Sequence, residues 1–220
     1  MKLVYVGDPM CSWCYGFGKE LSAVLAAVQP QLPLEIVVGG LRAGGTEVLD
    51  AAGKRFRLMH WARVEAASGL AFNRAALIAR QGFVYDTEPI CRAVVSARLL
   101  ATQAPLLEVF RALQQAFYVD GLDTTDPQTL ARVTAQALSR AGHPATAQTV
   151  LQQYQAPATI EATRADFRKT RALGIKSFPA LLMEVNGEHH PVVPGYAGAS
   201  DILDRISALR ERFEASALSR

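Results

Sequence analysis

Apolar and polar positions divide the beginning of the chain into a strand, a helix and a second strand. Residues 1–6 form an apolar run that Gly7-Asp8-Pro9 interrupts, and an amphipathic helical pattern covers residues 15–28. A second apolar run at residues 32–38 ends at Gly39-Gly40. A strand, a helix and a strand in this order predict a parallel βαβ unit.

The middle of the chain has a different pattern. Residues 46–154 are rich in alanine and leucine at helical spacing and contain no convincing strand. Asp126-Pro127 predicts the start of one helix, which runs to Arg140 and stops before Gly142. Pro144 predicts the start of the next helix. Further helices are expected over residues 93–102 and 105–118.

The last quarter returns to a mixed pattern. Residues 160–173 are amphipathic and end at Gly174, a common helix stop. Two strand patterns, at residues 180–185 and 190–193, flank Asn186-Gly187, which is the strongest short sequence signal for a hairpin. The expected closing helix covers residues 201–216.

These elements together predict an α/β, thioredoxin-like fold with a large all-helical insertion between its βαβ and αββα halves. The thioredoxin-like domain is expected to be discontinuous, at residues 1–45 and 156–220, with the helical insertion domain at residues 46–155. At 220 residues, the chain is long enough to bury a sizeable core.

Charge and hydropathy argue against two classes of partner. The formal net charge is +3 and no block of basic residues stands out, so we expect no nucleic-acid partner. No stretch approaches the roughly 18 uninterrupted apolar residues of a membrane span, so we expect no membrane partner. The first residues lack the apolar run and the cleavage site of a secretory signal. We therefore expect the chain to act in the cytoplasm.

Two cysteines three positions apart, Cys11 and Cys14, lie where the first helix is expected to begin. At that position the sulfur of Cys11 would face unpaired backbone N–H groups and the positive end of the helix dipole. Both features favour the thiolate form, which is the nucleophile in disulfide exchange. Cys14 would lie one turn further along, shielded from solvent, and would act as the resolving thiol.

Two other interpretations of the cysteine pair remain open. A structural zinc site needs about four ligands. The chain offers one further cysteine, Cys91, and four histidines without paired spacing: His60, His143, His189 and His190. Inert core cysteines are the second alternative. In a reducing compartment a C-x-x-C pair is more often catalytic or metal-binding than structural, and because the further zinc ligands are missing, the pattern favours redox chemistry. Cys91 itself, on an apolar helical face, is expected to be buried, inert and dispensable.

The motif Asp8-Pro9-Met10-Cys11-Ser12-Trp13-Cys14-Tyr15-Gly16-Phe17 resembles the DsbA family of the thioredoxin superfamily. It is most similar to the cytosolic, FrnE-like members with a C-S-W-C-Y-G-F signature. The resemblance spans almost the whole chain and includes two further segments, Gly39-Gly40-Leu41-Arg42 and Gly174-Ile175-Lys176-Ser177-Phe178-Pro179.

The resemblance implies a substrate-binding surface next to the cysteines. In this superfamily the proline that opens the third strand is cis and lies against the C-x-x-C motif, which implies a cis Phe178-Pro179 bond in this chain. The exposed backbone of Phe178 would then pair with an extended substrate segment. We expect Ser12, Trp13, Phe178 and Pro179 to form this surface.

Two further features of the family bear on the redox chemistry. Strong oxidants of the family carry a histidine between the cysteines, whereas this chain has Ser12-Trp13 there, which weakens the case for a strong oxidant. A buried acid beneath the cysteines is common in the superfamily, and Asp8 and Glu35 are the candidate proton relays. Each has a simpler alternative, since Asp8 can cap the first helix and Glu35 can face solvent.

The leading functional hypothesis is a protein-thiol/disulfide oxidoreductase, with protein or small-molecule thiols and disulfides as partners and no bound cofactor. One alternative is a glutathione-dependent transferase or isomerase of the same fold, with glutathione as co-substrate. Such relatives usually carry serine at the nucleophile position, which argues against it. The other alternative is a non-enzymatic protease adaptor or redox switch.

Overall fold

A four-stranded mixed sheet is formed by the first and last parts of the chain in the computed structural model, which describes residues 1–218 and the side chains through residue 215. The strands are β1 (Lys2–Gly7), β2 (Leu34–Val38), β3 (Ala180–Val185) and β4 (Glu188–Val193). Their order across the sheet is β2-β1-β3-β4. β1 pairs parallel with β2, and the pairs β1–β3 and β3–β4 are antiparallel.

Helices flank the sheet and fill the middle of the chain. In chain order they are α1 (Ser12–Val28), α2 (Ala51–Ser68), α3 (Arg74–Ala79), α4 (Glu88–Leu100), α5 (Leu106–Tyr118), α6 (Pro127–Arg140), α7 (Ala147–Gln155), α8 (Pro157–Ala172) and α9 (Ala199–Leu218). In the described residues, no helix is both long and apolar enough to span a membrane.

The element order confirms the expected α/β, thioredoxin-like fold. The units β1-α1-β2 and α8-β3-β4-α9 build the sheet and its flanking helices, and α2 to α7 lie between them. One isolated bridge, between Val48 and Val84, interrupts the otherwise helical segment. A single large apolar cluster includes residues of the sheet units and of the inserted helices. The domain boundaries given above stay a prediction.

β1 is buried on both of its faces, which explains why its sequence is a continuous run of apolar residues. Leu3 and Tyr5 face the large cluster formed with α1 and the inserted helices. Val4 and Val6, on the opposite face, pack in a smaller cluster with residues of β2 and β3. Because successive side chains of a strand point to opposite faces, β1 holds both layers together. Its end is therefore a rigid starting point for the loop that follows.

Most local signals for helix ends and turns are confirmed. Asp126 caps α6 by accepting the N–H of Thr129 at 2.8 Å. Asn186 and Gly187 have positive φ angles of 53° and 85°, as a tight hairpin requires. The helix start expected at Pro144 is wrong. α7 begins at Ala147, because the side chain of Thr146 accepts the N–H of Thr149 at 3.1 Å and supplies the cap.

Side chains from α4 and α8 form hydrogen bonds with backbone groups of β2, the strand at one edge of the sheet. The carboxylate of Asp166 accepts the N–H of Val38 at 3.0 Å, and Arg98 donates to the carbonyl of Ile36 at 2.9 Å. Arg98 and Asp166 also pair with each other through two hydrogen bonds of 2.9 and 3.0 Å. This four-residue contact attaches the inserted segment, through α4, to the sheet.

We predict that Asp166→Ala lowers the free energy of unfolding by about 2 kcal/mol, because it leaves a buried N–H and the Arg98 guanidinium without their acceptor. Urea denaturation measures the loss. The control is Glu161→Ala, which breaks the exposed pair with Arg168 on the same helix and should change stability by less than about 0.5 kcal/mol. Equal effects of the two variants would contradict the role of Asp166.

Candidate active site

Cys11 stands at the boundary between the loop after β1 and the start of α1. It is the N-cap residue of α1, its N–H donates to the carbonyl of Asp8 at 3.0 Å, and its carbonyl accepts the N–H of Tyr15 at 3.0 Å. Its sulfur therefore lies at the positive end of the helix, as expected from the sequence. The side chain is 7% exposed. It is the more accessible thiol of the pair.

Cys14 lies one turn into α1 and is completely buried. Both cysteines are free, so the structure shows the reduced state. Burial raises the pKa of the Cys14 thiol well above its usual value, and the thiol of Cys11 facing it raises the pKa further. Cys14 is therefore a protonated thiol at neutral pH, protected from outside reagents and close to Cys11.

Phe178 and Pro179 meet the cysteines from the other half of the fold. The Phe178-Pro179 bond is cis, as the resemblance implied. The thiol of Cys11 points at the carbonyl oxygen of Phe178 over 3.6 Å. The Phe178 ring covers the backbone of Gly39, where a Cβ would lie only 2.2 Å from the ring. Glycine after β2 is thus needed for this close approach.

The carboxyl group of Asp8 is completely buried and joins three segments of the chain. One oxygen accepts the N–H of Met10 at 2.8 Å, and the other accepts the N–H of Leu41 at 2.6 Å. The second oxygen also accepts the thiol of Cys91 at 3.6 Å. Asp8 is not the cap of α1, because Cys11 occupies that position. It instead connects the loop before α1, the loop after β2 and the helix α4.

Burial raises the pKa of Asp8 to about 6, against the opposing effect of the hydrogen bonds from Thr87, Leu41, Met10 and Cys91. The carboxyl group therefore changes its protonation state near neutral pH. The group belongs to residues 8–11, which lead into α1 and are called the cysteine loop below. A carboxyl group that titrates near neutral pH fits the expected proton relay, and that role stays a prediction.

The second candidate relay, Glu35, lies elsewhere. In the parallel pairing of β1 and β2, Glu35 is opposite Val4, four residues before Asp8 and thus roughly 13 Å away along the strand. Its carboxylate forms ion pairs with Lys2, at 2.8 Å, and with Lys169. Burial acts to raise its pKa, but the two lysines together lower it below the usual value. Of the two acids expected at the cysteines, only Asp8 lies at the site.

Cys91 is completely buried in α4, as expected from its apolar surroundings. Burial raises the pKa of its thiol well above the usual value, and the charge of Asp8 acts in the same direction. A protonated, enclosed thiol is a poor nucleophile. Its contact with Asp8, however, was not expected. That Cys91 is dispensable for thiol exchange stays a prediction.

An open pocket of about 340 Å³ lies beside Cys11. It is formed by the cysteine loop, the loop after β2, α2 and the loop before β3. The lining residues include Ser12, Trp13, Leu41, Arg42, Phe56, Arg57, His60, Lys176 and Phe178. Three of the four residues expected to bind substrate are among them. Pro179 is buried behind Phe178 and does not line the pocket.

The pocket carries several basic side chains, and in the described part of the chain no acidic side chain lines it. The guanidinium of Arg57 lies over the ring of Tyr85, 4.0 Å from its centre. The hydroxyl of Tyr85 in turn donates to the carbonyl of Met10 at 2.6 Å. Arg42 and Lys176 are exposed, and no described carboxylate forms an ion pair with either. Their charges are therefore available to an anionic ligand.

Sequence reasoning missed this basic pocket. Arg42 and Lys176 both belong to the segments that carry the family resemblance, but their separation along the chain gives no sign that they meet. His60 was considered only as a metal ligand. In residues 1–218, no group of three or more His, Cys, Asp or Glu side chains is placed to hold a metal ion.

Neither a protein-family model nor a curated protein sequence matches the chain. Solved structures do match it. A candidate protein disulfide isomerase from Nitrosomonas europaea is 29% identical, with a TM-score of 0.84 over 96% of this chain and 99% of that chain. The cytosolic disulfide reductase DsbM from Pseudomonas aeruginosa is 21% identical, with a TM-score of 0.75 over 98% of this chain and 100% of that chain.

A second structure of DsbM, which contains glutathione, is also similar, with a TM-score of 0.72, 21% identity and coverage of 96% of this chain and 100% of that one. A 2-hydroxychromene-2-carboxylate isomerase has 12% identity and a TM-score of 0.61, with both chains fully covered. At these identities, the likeness to DsbM and to the isomerase shows the fold alone. The likeness to the Nitrosomonas protein is higher in both sequence and structure.

We predict that the stability of the protein depends on the protonation of Asp8. Its pKa is 3.8 in an unfolded chain and about 6 in the folded protein, so the unfolded chain releases the proton first as the pH rises. Stability should then fall between about pH 4 and pH 6. A difference of about two pKa units corresponds to about 3 kcal/mol.

Urea denaturation of the wild type and of Asp8→Asn over this pH range measures the effect. The free energy of unfolding of the wild type should decrease relative to that of the variant by about 3 kcal/mol between pH 4 and pH 7. A pH-independent difference between the two proteins would show that Asp8 has an ordinary pKa in the folded state.

Proposed function

We propose that the protein is a thiol-disulfide oxidoreductase in which Cys11 is the nucleophile and Cys14 the resolving thiol. The arrangement of the pair carries the proposal. Cys11 is the N-cap residue of α1 and borders an open pocket, whereas Cys14 is completely buried one turn later. The 29% identity to the Nitrosomonas europaea protein over 96% of the chain supports the same class of chemistry.

The reaction in the reducing direction has two steps. The Cys11 thiolate attacks a substrate disulfide, R–S–S–R′, which forms a mixed disulfide between Cys11 and R–S and releases R′–S⁻. Cys14 then gives up its proton and attacks the sulfur of Cys11, and R–SH leaves. The substrate gains two electrons, and the two cysteines become a disulfide. The reverse sequence oxidises a dithiol substrate.

The backbone of Phe178 is the proposed contact for an extended substrate. Its carbonyl lies 3.6 Å from the sulfur of Cys11 in the reduced protein. A peptide that pairs with this backbone as an added strand would bring its own sulfur atom to Cys11. Trp13, which is half-buried and packs on Tyr196 at 5.6 Å between ring centres, would form the apolar side of the same surface.

We further propose that glutathione is a small-molecule co-substrate. Glutathione carries two carboxylates, and the pocket beside Cys11 offers the unpaired charges of Arg42 and Lys176. A structure of DsbM contains glutathione, which supports the proposal by analogy.

The C-S-W-C-Y-G-F signature and the cytosolic assignment of DsbM support the proposal that the chain is a cytoplasmic, FrnE-like member of the DsbA family.

The alternatives have less support. The likeness to the 2-hydroxychromene-2-carboxylate isomerase is one of fold, at 12% identity. A transferase or isomerase that only binds glutathione has no need of a second thiol behind the first, whereas Cys14 is enclosed next to Cys11. No contact in the described residues specifically favours an adaptor role.

Cysteine variants and the reduction potential test the proposal. We predict that Cys11→Ser abolishes turnover of a disulfide substrate, whereas Cys14→Ser still attacks it and accumulates the mixed disulfide.

Iodoacetamide should label Cys11 of the reduced wild type before Cys14 and Cys91, as peptide mass spectrometry can show. Equilibration with glutathione buffers should give a potential between about −270 and −120 mV, the range of this superfamily. Faster labelling of Cys14, or no exchange, would contradict the proposal.

The basic pocket gives a second prediction. Replacing Arg42 and Lys176 together by alanine should raise the KM for oxidised glutathione about tenfold, which corresponds to about 1.4 kcal/mol, because two carboxylate contacts are lost. The KM for an uncharged disulfide, bis(2-hydroxyethyl) disulfide, should stay within about twofold. Arg132→Ala, an exposed arginine of α6 outside the pocket, is the control. Equal losses with both disulfides would show that the pocket does not recognise charge.

A further inference from the structure

Tyr5 lies near the centre of β1, and its side chain is on the α1 side of the sheet. The ring packs against Phe17 of α1 at 5.8 Å and against Phe110 of α5 at 5.5 Å between ring centres, and the residue is 1% exposed. A phenylalanine would supply the same apolar contacts. The hydroxyl group is therefore the part of Tyr5 that packing does not explain.

The hydroxyl of Tyr5 has no hydrogen-bonding partner in the described part of the chain, although it is completely buried. A buried hydroxyl without a partner destabilises the folded protein, because it has lost its hydrogen bonds to water. It extends over Gly7, two residues along the same strand, where a Cβ would lie 2.5 Å from the hydroxyl oxygen. Glycine at position 7 thus leaves room for a hydroxyl that the folded, reduced protein does not satisfy.

Cys14 and Phe17 lie three positions apart on α1 and therefore share one face of that helix, and the ring of Tyr5 packs on Phe17 at this face. Burial is the main cause that raises the pKa of Tyr5. Cys14 is the second cause and raises it more than Cys11 and Asp8 do. In the other direction, burial and Cys11 raise the pKa of Cys14, whereas the backbone of Asp8 and the Tyr5 hydroxyl lower it. A neutral thiol is a weak acceptor, so the hydroxyl stays without a well-formed bond in the reduced state. A thiolate at the same place is a strong acceptor.

We infer that the Tyr5 hydroxyl donates a hydrogen bond to the Cys14 thiolate during the resolving step of disulfide exchange. The inference rests on the proposed function and assigns to it a residue outside the C-x-x-C motif. In that step the proton of Cys14 ends on the departing substrate thiol, and the electron pair of the Cys14 sulfur forms the bond to Cys11. The phenol keeps its own proton throughout and acts as a donor only.

Burial makes such a donor necessary. Cys14 is enclosed, so water cannot solvate its thiolate, and the charged form is unfavourable unless the protein supplies a donor. The carboxyl group of Asp8 accepts hydrogen bonds from Met10, Leu41 and Cys91. It is therefore already occupied by other donors and does not supply a hydrogen bond to Cys14. In the described part of the chain, the Tyr5 hydroxyl is a buried donor without a partner, and it acts to lower the pKa of Cys14.

Tyr5→Phe tests the inference in a single-turnover reaction with 5,5′-dithiobis(2-nitrobenzoate), whose thiol product is coloured. The first phase of colour reports attack by Cys11, and the second reports resolution by Cys14. We expect the first phase to change less than about twofold. The second should slow about tenfold at pH 7, and its pH midpoint should rise by about one unit, since one pKa unit is a tenfold change in thiolate.

The control is Tyr154→Phe, which removes the hydroxyl of a buried tyrosine in α7 whose pKa is raised by burial and is otherwise influenced by Arg92, Glu88 and Asp86. Its two phases should match the wild type. An unchanged second phase in Tyr5→Phe at every pH would overturn the inference and leave the proposed function intact. Absence of a second phase in the wild type would instead contradict the proposed function.

A measurement on the wild type avoids any loss of folding in the variant. With tyrosine labelled by ¹³C at Cζ, the NMR signal of Tyr5 should move as the Cys14 thiol titrates in the reduced protein. The signal should lose this pH dependence in Cys14→Ser. A Tyr5 signal that moves identically in both proteins, or in neither, would rule out the hydrogen bond.

Discussion

The buried carboxyl group of Asp8 holds together the segments from which the site is built. It accepts N–H groups from Met10, in the cysteine loop, and from Leu41, in the loop after β2, and it contacts the thiol of Cys91 in α4. Two of these segments belong to the sheet units and one to the inserted helices. A carboxyl group enclosed in this way is costly, and its pKa of about 6 reflects that cost. The same bonds hold the loop that presents Cys11.

The two cysteines differ in their surroundings, and this difference suits them to successive steps. Cys11 is at a helix start, next to a basic pocket and to the carbonyl of Phe178. Cys14 is enclosed, and burial raises the pKa of its thiol. Under the proposed function, the first arrangement favours attack on an external disulfide, and the second protects the proposed resolving thiol from side reactions. By the inference drawn above, the buried hydroxyl of Tyr5 stabilises the Cys14 thiolate that the resolving step requires.

Proteins named for different reactions share the architecture of this chain. The reductase DsbM and the 2-hydroxychromene-2-carboxylate isomerase share the architecture with this chain at 21% and 12% identity. A common scaffold does not by itself imply a common reaction. In this chain, a thiol at the N-cap of α1 and a second, buried thiol behind it favour disulfide exchange, and the basic groups beside them are the basis of the proposed glutathione site.

Local sequence signals determined the elements of this protein and the cysteine pair. The strand before Gly7, the start of α1 at Cys11, the Asn186-Gly187 hairpin and the Asp126 cap all depend on residues a few positions apart. Backbone preferences and hydrogen bonds within one turn act at that range, so the sequence pattern shows them directly. The start of α7 was missed because Thr146, a better cap, lies just after Pro144.

Contacts between distant segments were decided only by the tertiary structure. Asp8 meets Cys91 across 83 positions of the chain, which no sequence pattern indicated, and Cys11 meets Phe178 across 167, which only the family resemblance implied. Arg42 and Lys176 likewise come together at one pocket, and Glu35 lies away from the cysteines because of the register of β1 with β2. Such pairs are set by how helices and sheet pack, which depends on the summed burial of many side chains. No pattern within a short window carries that information.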